Sequence, residues 1–404
     1  LRNLLVRGEV TDDRATASVS LFRGDEPDAP KIELDATAAA DTVGLTAAYT
    51  AYKDDGSVDA RNGGRLLASA ALGDTMRVAL HESRFALGGT DWNVRRSTMS
   101  FLPDNALEIK RLAVESGDRH LYVSGRLSKD PADTLDVDLR RVNLAYIFDL
   151  VKFDDVEFDG DVTGLVKATG ITSGPNAAGL LKVENFSFNK AVLGDMDLLA
   201  AWNTSVGQLD LDGHITGPGV PSKTVLGKTV PTDTRIVGRV NPIRRRPIYG
   251  LDLTVKTQGF NMGFVNEYLT GILDDLNGSF SGDVRIHGPF NAIAIEGGAV
   301  VDHCTAVVPT LKVGYQFAGD SLVVTPDCFS FRNIHLYDMH ATAPGANHRM
   351  LTNCEIRHRF FNNFTYDLRG RADNLLGYDV RDFGDDAFYG TAFLTGDVHL
   401  NGGP

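Results

Sequence analysis

The side chains that could bind a metal ion are concentrated in the last third of the chain. Histidine and cysteine are the usual zinc ligands, and compact zinc sites place them in closely spaced pairs. The chain has no Cys-x-x-Cys pair, and its later histidines are separated by five, eight and ten residues. This spacing favours histidines on strand faces and in loops, with a metal site as the alternative, and we predict no metal ligands. The residues concerned are His303, Cys304, His335, His340, His348, Cys354 and His358.

Paired carboxylates form the second group that could do chemistry. Acidic pairs stand at 154–155, 274–275 and 385–386. Two carboxylates flanking a glycosidic bond would catalyse its hydrolysis. However, each pair directly precedes a glycine-rich stretch, as expected for a polar turn or helix end. The sequence contains no complete Gly-x-x-x-x-Gly-Lys-Ser/Thr phosphate loop, no Gly-x-Ser-x-Gly elbow and no His-Glu-x-x-His motif, which are signatures of catalytic sites. We therefore predict no catalytic residues, no enzymatic activity and no cofactor.

A glycine cassette recurs three times, at 158–170, 276–288 and 388–402. The first two copies share one spacing, and the third carries two additional residues between its first two glycines. The copies recur after roughly 115 residues, a repeat length that indicates modules of one elongated protein. Glycines on one face of a strand allow a helix or a neighbouring backbone to approach closely. The cassettes therefore indicate packing and bending positions and not ligand contacts.

The composition narrows the classes of partner. The 404 residues carry a net charge of −13, and 43% of them are hydrophobic. Such a chain can bury a substantial core. Nucleic-acid binders usually carry a basic face, and anionic membranes attract basic segments, so this acidic chain is expected to bind neither nucleic acid nor a broad anionic membrane surface.

Alternation of apolar and polar residues is the dominant pattern of the chain. It is typical of antiparallel sheet with one dry face and one face in water. Such a dry face must be covered, completely by a second sheet in a closed sandwich or only in part in a single curled sheet, which would leave a groove. The predicted groove residues are Leu121, Val123, Leu127, Leu135, Val137, Leu139, Leu209, Leu211, Ile215, Leu251, Leu253, Val255, Val284, Ile286, Val398 and Leu400.

Apolar stripes at helical spacing predict a few short amphipathic helices. One stripe lies at 144–151 and one at 264–276, each directly before a glycine cassette. A ragged stripe at 375–383 precedes the third cassette. A helix of this kind would plug the dry face locally. The stretch 216–235 is predicted to be a long loop. The three arginines at 244–246 are predicted to form a basic turn.

The repeats divide the chain into four predicted segments. They are a β-groove segment at 1–142, modules beginning with a helix and a cassette at 143–260 and 261–372, and the start of a third module at 373–404. The chain begins in what looks like the middle of a strand and ends directly after a cassette. It is therefore expected to be part of a longer polypeptide, whose other parts could carry a membrane anchor or secretion signal.

The three cysteines are too few for a disulfide scaffold. Buried free thiols are the expectation for Cys304, Cys328 and Cys354. A disulfide between Cys328 and Cys354 is conceivable and stays open at the level of the sequence.

The helix, cassette and strand train together resemble the translocation and assembly module (TamB) family and its AsmA-like relatives. The stretches that carry the resemblance are 264–288 and 373–390, the latter similar to the form found in Bacteroidetes. The cassettes at 158–170 and 276–288 match best, and the third departs by its insertion. The resemblance covers most of the chain, but none of its motifs is a catalytic signature.

The resemblance implies a mostly β fold, an elongated curled antiparallel sheet described as a β-taco or repeating β-groove. Members of the family are held in the inner membrane by an N-terminal helix and cross the periplasm. They are thought to carry phospholipid acyl chains along the groove and to work with an Omp85-type outer-membrane barrel. The expected function is therefore a periplasmic segment of a lipid conduit that supports outer-membrane assembly.

Two other functions remain open at this stage. A structural or adhesive β-solenoid would close its apolar interior with its own side chains. A carbohydrate-active enzyme would need exposed carboxylates near aromatic residues in a cleft. The conduit instead requires an open apolar face with room for hydrocarbon.

Overall fold

The chain folds almost entirely into β-strands. The computed structural model describes residues 3–403 except 12, 23–30, 54, 74, 131, 147–156, 171–175, 242, 244–248, 268, 270, 272, 291, 344, 360–361 and 381–388. In this part of the chain, 26 strands and one short 3-10 helix are present. The mostly β fold class is thereby confirmed, and the pairings described below are all antiparallel.

The first twelve strands are short and follow one another closely. Their bounds are β1 Asn3–Val10, β2 Ala15–Phe22, β3 Lys31–Ala39, β4 Thr42–Tyr52, β5 Val58–Ala71, β6 Met76–Leu80, β7 Ser83–Leu87, β8 Thr90–Val94, β9 Ser97–Phe101, β10 Leu107–Ser116, β11 Arg119–Leu127 and β12 Thr134–Asn143.

The later strands are on the whole longer, and the 3-10 helix Met262–Glu267 lies between two of them. Their bounds are β13 Phe158–Thr169, β14 Asn176–Phe188, β15 Ala191–Asn203, β16 Gln208–Gly217, β17 Thr232–Asn241, β18 Gly250–Asn261, β19 Asp274–Gly288, β20 Ala294–Val308, β21 Val313–Phe317, β22 Ser321–Thr325, β23 Cys328–Asp338, β24 Arg349–Arg359, β25 Asn362–Val380 and β26 Gly390–Gly402.

The strands group into two compact units. Unit 1 comprises Leu1–Val142, Val162–Leu181 and Asn203–Ser205, and unit 2 comprises Asn143–Asp161, Lys182–Trp202 and Val206–Pro404. This grouping reflects packing and not sequence repetition, so the four segments defined by the cassettes stay a prediction.

Unit 1 begins as a simple meander. Strands β1 to β5 pair in sequence order, and β5 then pairs with both β6 and β7. Strand β9 pairs with β6 and β10, and β8 pairs with β7 and β10. The pairings β10–β11 and β11–β12 complete the series. Short connections between sequential strands are those expected of an antiparallel meander.

Unit 2 contains a second series of paired strands, from β16 to β20 in sequence order. Strand β20 pairs with both β21 and β22, and each of these two strands also pairs with β23. The pairings β23–β24, β24–β25 and β25–β26 follow.

All three predicted helical stripes can be compared with the structure over their described residues. The stripe at 264–276 forms a 3-10 helix over Met262–Glu267 only, and β19 begins at Asp274. Gly271 has a φ of 84°, which a right-handed helix cannot contain. The predicted length of this helix is therefore wrong. The stripe at 144–151 is helical at 144–146, and its remainder lies outside the described residues.

The prediction of a helix at the ragged stripe 375–383 is also wrong, because the described part of this stripe belongs to β25. Register shifts against β26 occur between Ala372 and Leu375 and between Leu376 and Tyr378. These β-bulges break the alternation and allow the neighbours Leu375 and Leu376 both to be buried. Two consecutive apolar residues in a bulged strand thus imitate helical spacing.

The long loop predicted at 216–235 is confirmed over residues 218–231, between β16 and β17. It packs on the polar side of β20 and β21. The Lys228 carbonyl oxygen lies 3.1 Å from Nδ1 of buried His303, and the Thr224 hydroxyl donates to buried Gln316. The basic turn predicted at 244–246 lies outside the described residues.

Candidate functional site

The strand register of unit 1 aligns apolar residues across ten strands. One residue from each of β1–β6 and β9–β12 lies directly opposite the next. We call this set the unit 1 row. Its members are Val10, Ala15, Ala38, Val43, Ala70, Val78, Met99, Ile109, Gly125 and Leu135.

Much of the apolar face around this row is open to solvent. In the neighbouring positions, Val6 is 59% exposed, Leu34 42%, Leu45 41% and Leu66 41%. Large contiguous apolar patches are rare on the surface of monomeric soluble proteins and mark interaction sites. The face of β1–β5 is therefore the strongest candidate binding surface of unit 1.

The opposite face of the same strands is polar. Arg7, Ser18, Asp35 and Thr46 lie opposite one another across β1–β4. The Ser18 hydroxyl donates to an Asp35 carboxylate oxygen over 2.6 Å. Because successive side chains in a strand point to opposite faces, the register that aligns the apolar row also aligns the polar one.

Unit 2 contains an equivalent row. One residue from each of β16–β20 and β22–β26 lies opposite the next, and we call this set the unit 2 row. Its members are Gly213, Ile236, Val255, Val284, Gly297, Val324, Phe329, Ile356, Tyr366 and Gly402.

The groove residues predicted in β11 and β12 all lie on the apolar face. Leu121 is opposite Leu139, and Val123 is opposite Val137. Leu135 belongs to the unit 1 row. Leu127 and Leu139 are buried, whereas Leu121, Val123, Leu135 and Val137 are half-buried.

The predicted groove residues of unit 2 are also brought together by the register. Leu211 and Leu253 face each other across Gly238, and Ile286 continues their line. Ile215 and Val255 are buried, so they serve the core of unit 2. The half-buried members are Leu209, Leu211, Leu251, Leu253, Val284, Ile286 and Val398, and Leu400 is exposed.

Sequence reasoning missed the open face of β1–β5. Several of its positions are alanine, as at Ala15, Ala17, Ala36 and Ala38. Alanine occurs readily on either face, so the alternation is weak when each strand is considered alone. The signal appears only when the five strands are aligned.

The middle of the unit 2 row is covered by the chain itself. Met262, Leu269 and Leu276 are buried in one cluster with Val301 and Val324. Val265, Leu273, Phe329 and Ile356 pack against this cluster. Unit 2 therefore fills the middle of its apolar row with its own side chains.

Charged residues follow the polar face of unit 2. Arg285 donates two hydrogen bonds to Asp252, at 2.9 and 3.2 Å, and Arg239 approaches the same carboxylate. The hydrogen bonds from Arg285 hold the pKa of the Asp252 carboxyl below its ordinary value. Such exposed pairs contribute little stability, but charges on this face keep it hydrated and discourage aggregation.

The three glycine cassettes share a hydrogen bond that the sequence does not reveal. In each, the Ser or Thr directly before the second glycine accepts a backbone N–H from the preceding strand. We call this contact the bulge lock. Its donor–acceptor pairs are Arg141 to Thr163 at 3.1 Å, Gly259 to Ser281 at 3.1 Å and Asn374 to Thr395 at 3.0 Å.

The donor of each bulge lock has a left-handed backbone. The φ angles are 49° at Arg141, 60° at Gly259 and 52° at Asn374. At Gly259 and Asn374 the strand register shifts, which leaves the N–H of the extra residue outside the regular ladder. A side-chain hydroxyl supplies the missing acceptor.

The glycines after the first two locks allow close strand contact. A Cβ atom at Gly164 would clash with the carbonyl oxygen of Leu180, and one at Gly282 with that of Gly298. A Cβ at Gly396 would meet nothing within 4 Å. The second glycine therefore has the predicted packing role in the first two cassettes. In the third cassette, Gly396 has no neighbour close enough for such a role.

Of the residues first considered for metal binding, His340 and His348 lie near each other, with ring centroids 5.9 Å apart. Among the described residues, no group of three or more His, Cys, Asp or Glu is placed to hold a metal ion. Cys304 lies in the apolar core of unit 2, and burial raises the pKa of its thiol to about 12. Asp274 and Asp275 begin β19; the other two acidic pairs lie outside the described residues.

The three cysteines are free thiols. Cys328 lies opposite Arg357, whereas Cys354 lies opposite Phe331. The two cysteines are thus separated by three positions along the paired strands β23 and β24. At about 3.3 Å per residue they are too far apart for a disulfide.

Comparisons with known proteins do not assign the chain to a family. No family model matches it, and no curated protein does. In the described part of the chain, helices of sufficient length and hydrophobicity to cross a membrane are not found.

Proposed function

We propose that the chain binds the acyl chains of phospholipids on its apolar sheet face and lets them move along that face. The observation that carries the proposal is the unit 1 row, an unbroken apolar register through ten strands beside exposed leucines and valines. Movement along such a surface needs no nucleophile, metal ion or cofactor.

The dimensions of the row suit hydrocarbon. Ten strands at about 4.8 Å spacing give a path of roughly 43 Å. A single acyl chain spans about half of the hydrocarbon core of a bilayer, roughly 15 Å. Ala70 and Ile109 in the row are buried, so the positions open to an acyl chain lie mainly on β1–β5. There, removing apolar surface from water contributes about 25 cal/mol per Å².

The wider biological role follows from the resemblance to the TamB family. In this proposal the chain is a periplasmic segment of a lipid conduit between the inner and outer membranes. The anchor in the inner membrane and the Omp85-type partner belong to the proposal through that resemblance alone.

The alternative, a structural or adhesive β-solenoid, is favoured by one observation. The apolar cluster around Val301 and Phe331 shows that unit 2 fills part of its interior with its own side chains. The two functions differ at the exposed face of unit 1, which a closed solenoid would not present. The decisive experiment therefore addresses that face.

The test introduces one charge on either side of β4. Leu45→Arg places a guanidinium on the apolar face, and Thr46→Arg places the same group on the polar face, next to Asp35. Purified proteins are extracted, and their phospholipid content is measured by mass spectrometry. We expect Leu45→Arg to lower bound lipid at least roughly tenfold, because a charge in an apolar path costs several kcal/mol.

Thr46→Arg is expected to retain the lipid of the unsubstituted protein. Equal lipid content in both variants, or no lipid in the unsubstituted protein after exposure to phospholipid vesicles, would exclude the proposed binding face. Circular dichroism of both variants checks that the strands are intact.

A further inference from the structure

The connection between β18 and β19 is far longer than the pairing of these strands requires. Asn261 lies opposite Ser279, so the two strands form a hairpin, for which a turn of about two to five residues is usual. The chain instead uses residues 262–273, which we call the connecting segment. Long connections within compact domains are uncommon and often functional.

The connecting segment folds back onto the apolar face. Met262 and Leu269 are buried in the cluster that contains Val301 and Val324. Leu273 packs against the same cluster, and its N–H donates to the Leu269 carbonyl over 2.9 Å. The covered surface includes part of the unit 2 row, because Phe329 and Ile356 pack against the same cluster.

Asn266 ties the segment to the sheet. Its side-chain amide donates to the Leu276 carbonyl oxygen, and its side-chain oxygen accepts the Leu276 N–H, both over 3.0 Å. At the other end, Phe264 lies between Phe188 and Phe260, with ring centroids 5.5 and 5.9 Å apart. The segment is therefore held by one polar clamp and by apolar packing.

We propose that the connecting segment is a removable occupant of a second acyl-chain site, on the unit 2 row. The inference rests on the proposed function. In the closed state, Leu269 and Leu273 supply the apolar cover that an acyl chain would supply in the open state. Because ligand and segment exclude each other, the clamp at Asn266 sets how readily this part of the face accepts lipid.

Lipid contact is measured at the covered face of unit 2 and at the open face of unit 1, with one labelled variant for each. A photoreactive benzoylphenylalanine replaces either Phe329, in the unit 2 row, or Tyr49, on the apolar face of β4. Each protein is irradiated with vesicles of phosphatidylethanolamine and phosphatidylglycerol, and lipid adducts are quantified by mass spectrometry. Hydrogen exchange of the amides in the connecting segment reports its release.

Asn266→Ala removes the clamp, and each lost hydrogen bond shifts the equilibrium toward the open state by roughly fivefold. We expect the adduct at position 329 to increase by at least that factor, while the adduct at position 49 stays constant. Asn277→Ala is the matched control. It alters the next residue of β19, whose side-chain oxygen has no hydrogen-bond partner, and should leave both adducts unchanged.

A second variant, Leu269→Asp with Leu273→Asp, expels the segment by placing carboxylates in its apolar contacts. If the segment is released and position 329 gains no lipid while position 49 is labelled, the second site is refuted and the proposed function stands. If neither variant releases the segment, it is not removable and the inference is refuted. If position 49 is not labelled in any protein, the proposed function itself is refuted.

Discussion

At the scale of single residues, the three bulge locks assign a role to positions that the sequence left unexplained. Thr163, Ser281 and Thr395 each precede the second glycine of a cassette and accept a backbone N–H. An N–H withdrawn from water without an acceptor costs about 1–3 kcal/mol. By accepting these N–H groups, the hydroxyls remove that cost and stabilise the irregular backbone within the sheet.

Replacing Thr163 with Val tests this role with little change of shape. The hydrogen bond to Arg141 is partly buried, so we expect the variant to lose about 1 kcal/mol of local stability. Amide hydrogen exchange at Arg141 should accelerate accordingly.

Thr395→Val is the matched control for this prediction. The equivalent hydrogen bond from Asn374 is exposed to solvent, where water can replace the hydroxyl. Exchange at Asn374 should therefore change less than exchange at Arg141. Equal effects at the two sites, or no effect at Arg141, would contradict a locking role that depends on burial.

His303 gives the second prediction at this scale. It is buried beneath the loop at 218–231, and burial lowers the pKa of its imidazole below the ordinary value of 6.5. The folded state thus holds the proton less tightly than the unfolded state. The stabilising contribution is complete above pH 6.5 and is lost as the pH falls from there through the lower folded-state pKa.

We therefore expect the melting temperature to decrease as the pH is lowered from about 8 to about 5. The decrease should be smaller in His303→Asn. The asparagine amide can still donate to the Lys228 carbonyl but does not titrate. An unchanged slope in His303→Asn would show that other groups cause the pH dependence.

At the scale of elements, the pairing of β19 with β20 depends on the missing side chain of Gly282. Gly282→Ala would bring a Cβ against the carbonyl of Gly298 and to 2.5 Å from Cα of Ala299. We expect this variant to lose about 1–3 kcal/mol, because the backbones must separate. The midpoint of urea unfolding, followed by circular dichroism, measures the change.

Gly298→Ala is the control across the same strand pair. A Cβ at Gly298 would lie 3.8 Å from the Leu322 carbonyl oxygen, an ordinary contact. It should be neutral or slightly stabilising, since alanine restricts the unfolded chain. A larger loss for Gly298→Ala than for Gly282→Ala would contradict the close-approach argument.

At the scale of the whole molecule, the alternating pattern predicted the mostly β class and the side on which each groove residue lies. Leu121 and Leu139, or Val255 and Val284, could be assigned to one face because strand side chains alternate. The partner strand across which they meet could not be assigned, since register depends on turns and bulges. The alanine-rich face of β1–β5 was missed for the same reason.

The helices were the weakest part of the prediction, for a related physical reason. Leu375 and Tyr378, and likewise Leu376 and Val380, are spaced as on one face of a helix, but they lie in β25, which contains two bulges. At 264–276, the 3-10 helix ends at Glu267, and Leu273 packs against the apolar cluster from beyond Gly271, whose φ is positive. A periodic stripe records which residues are buried, and more than one backbone can bury the same residues.

The third cassette has two more residues between its first two glycines than the other cassettes, and this number is even. Gly390 and Gly396 remain on the same side of β26 because an even insertion preserves the alternation of the strand. An odd insertion would turn the Thr395 hydroxyl away from the Asn374 N–H. Lengthening of these strands in steps of two therefore leaves both the bulge locks and the apolar face in place, so the repeats can vary in length without changing which residues lie on that face.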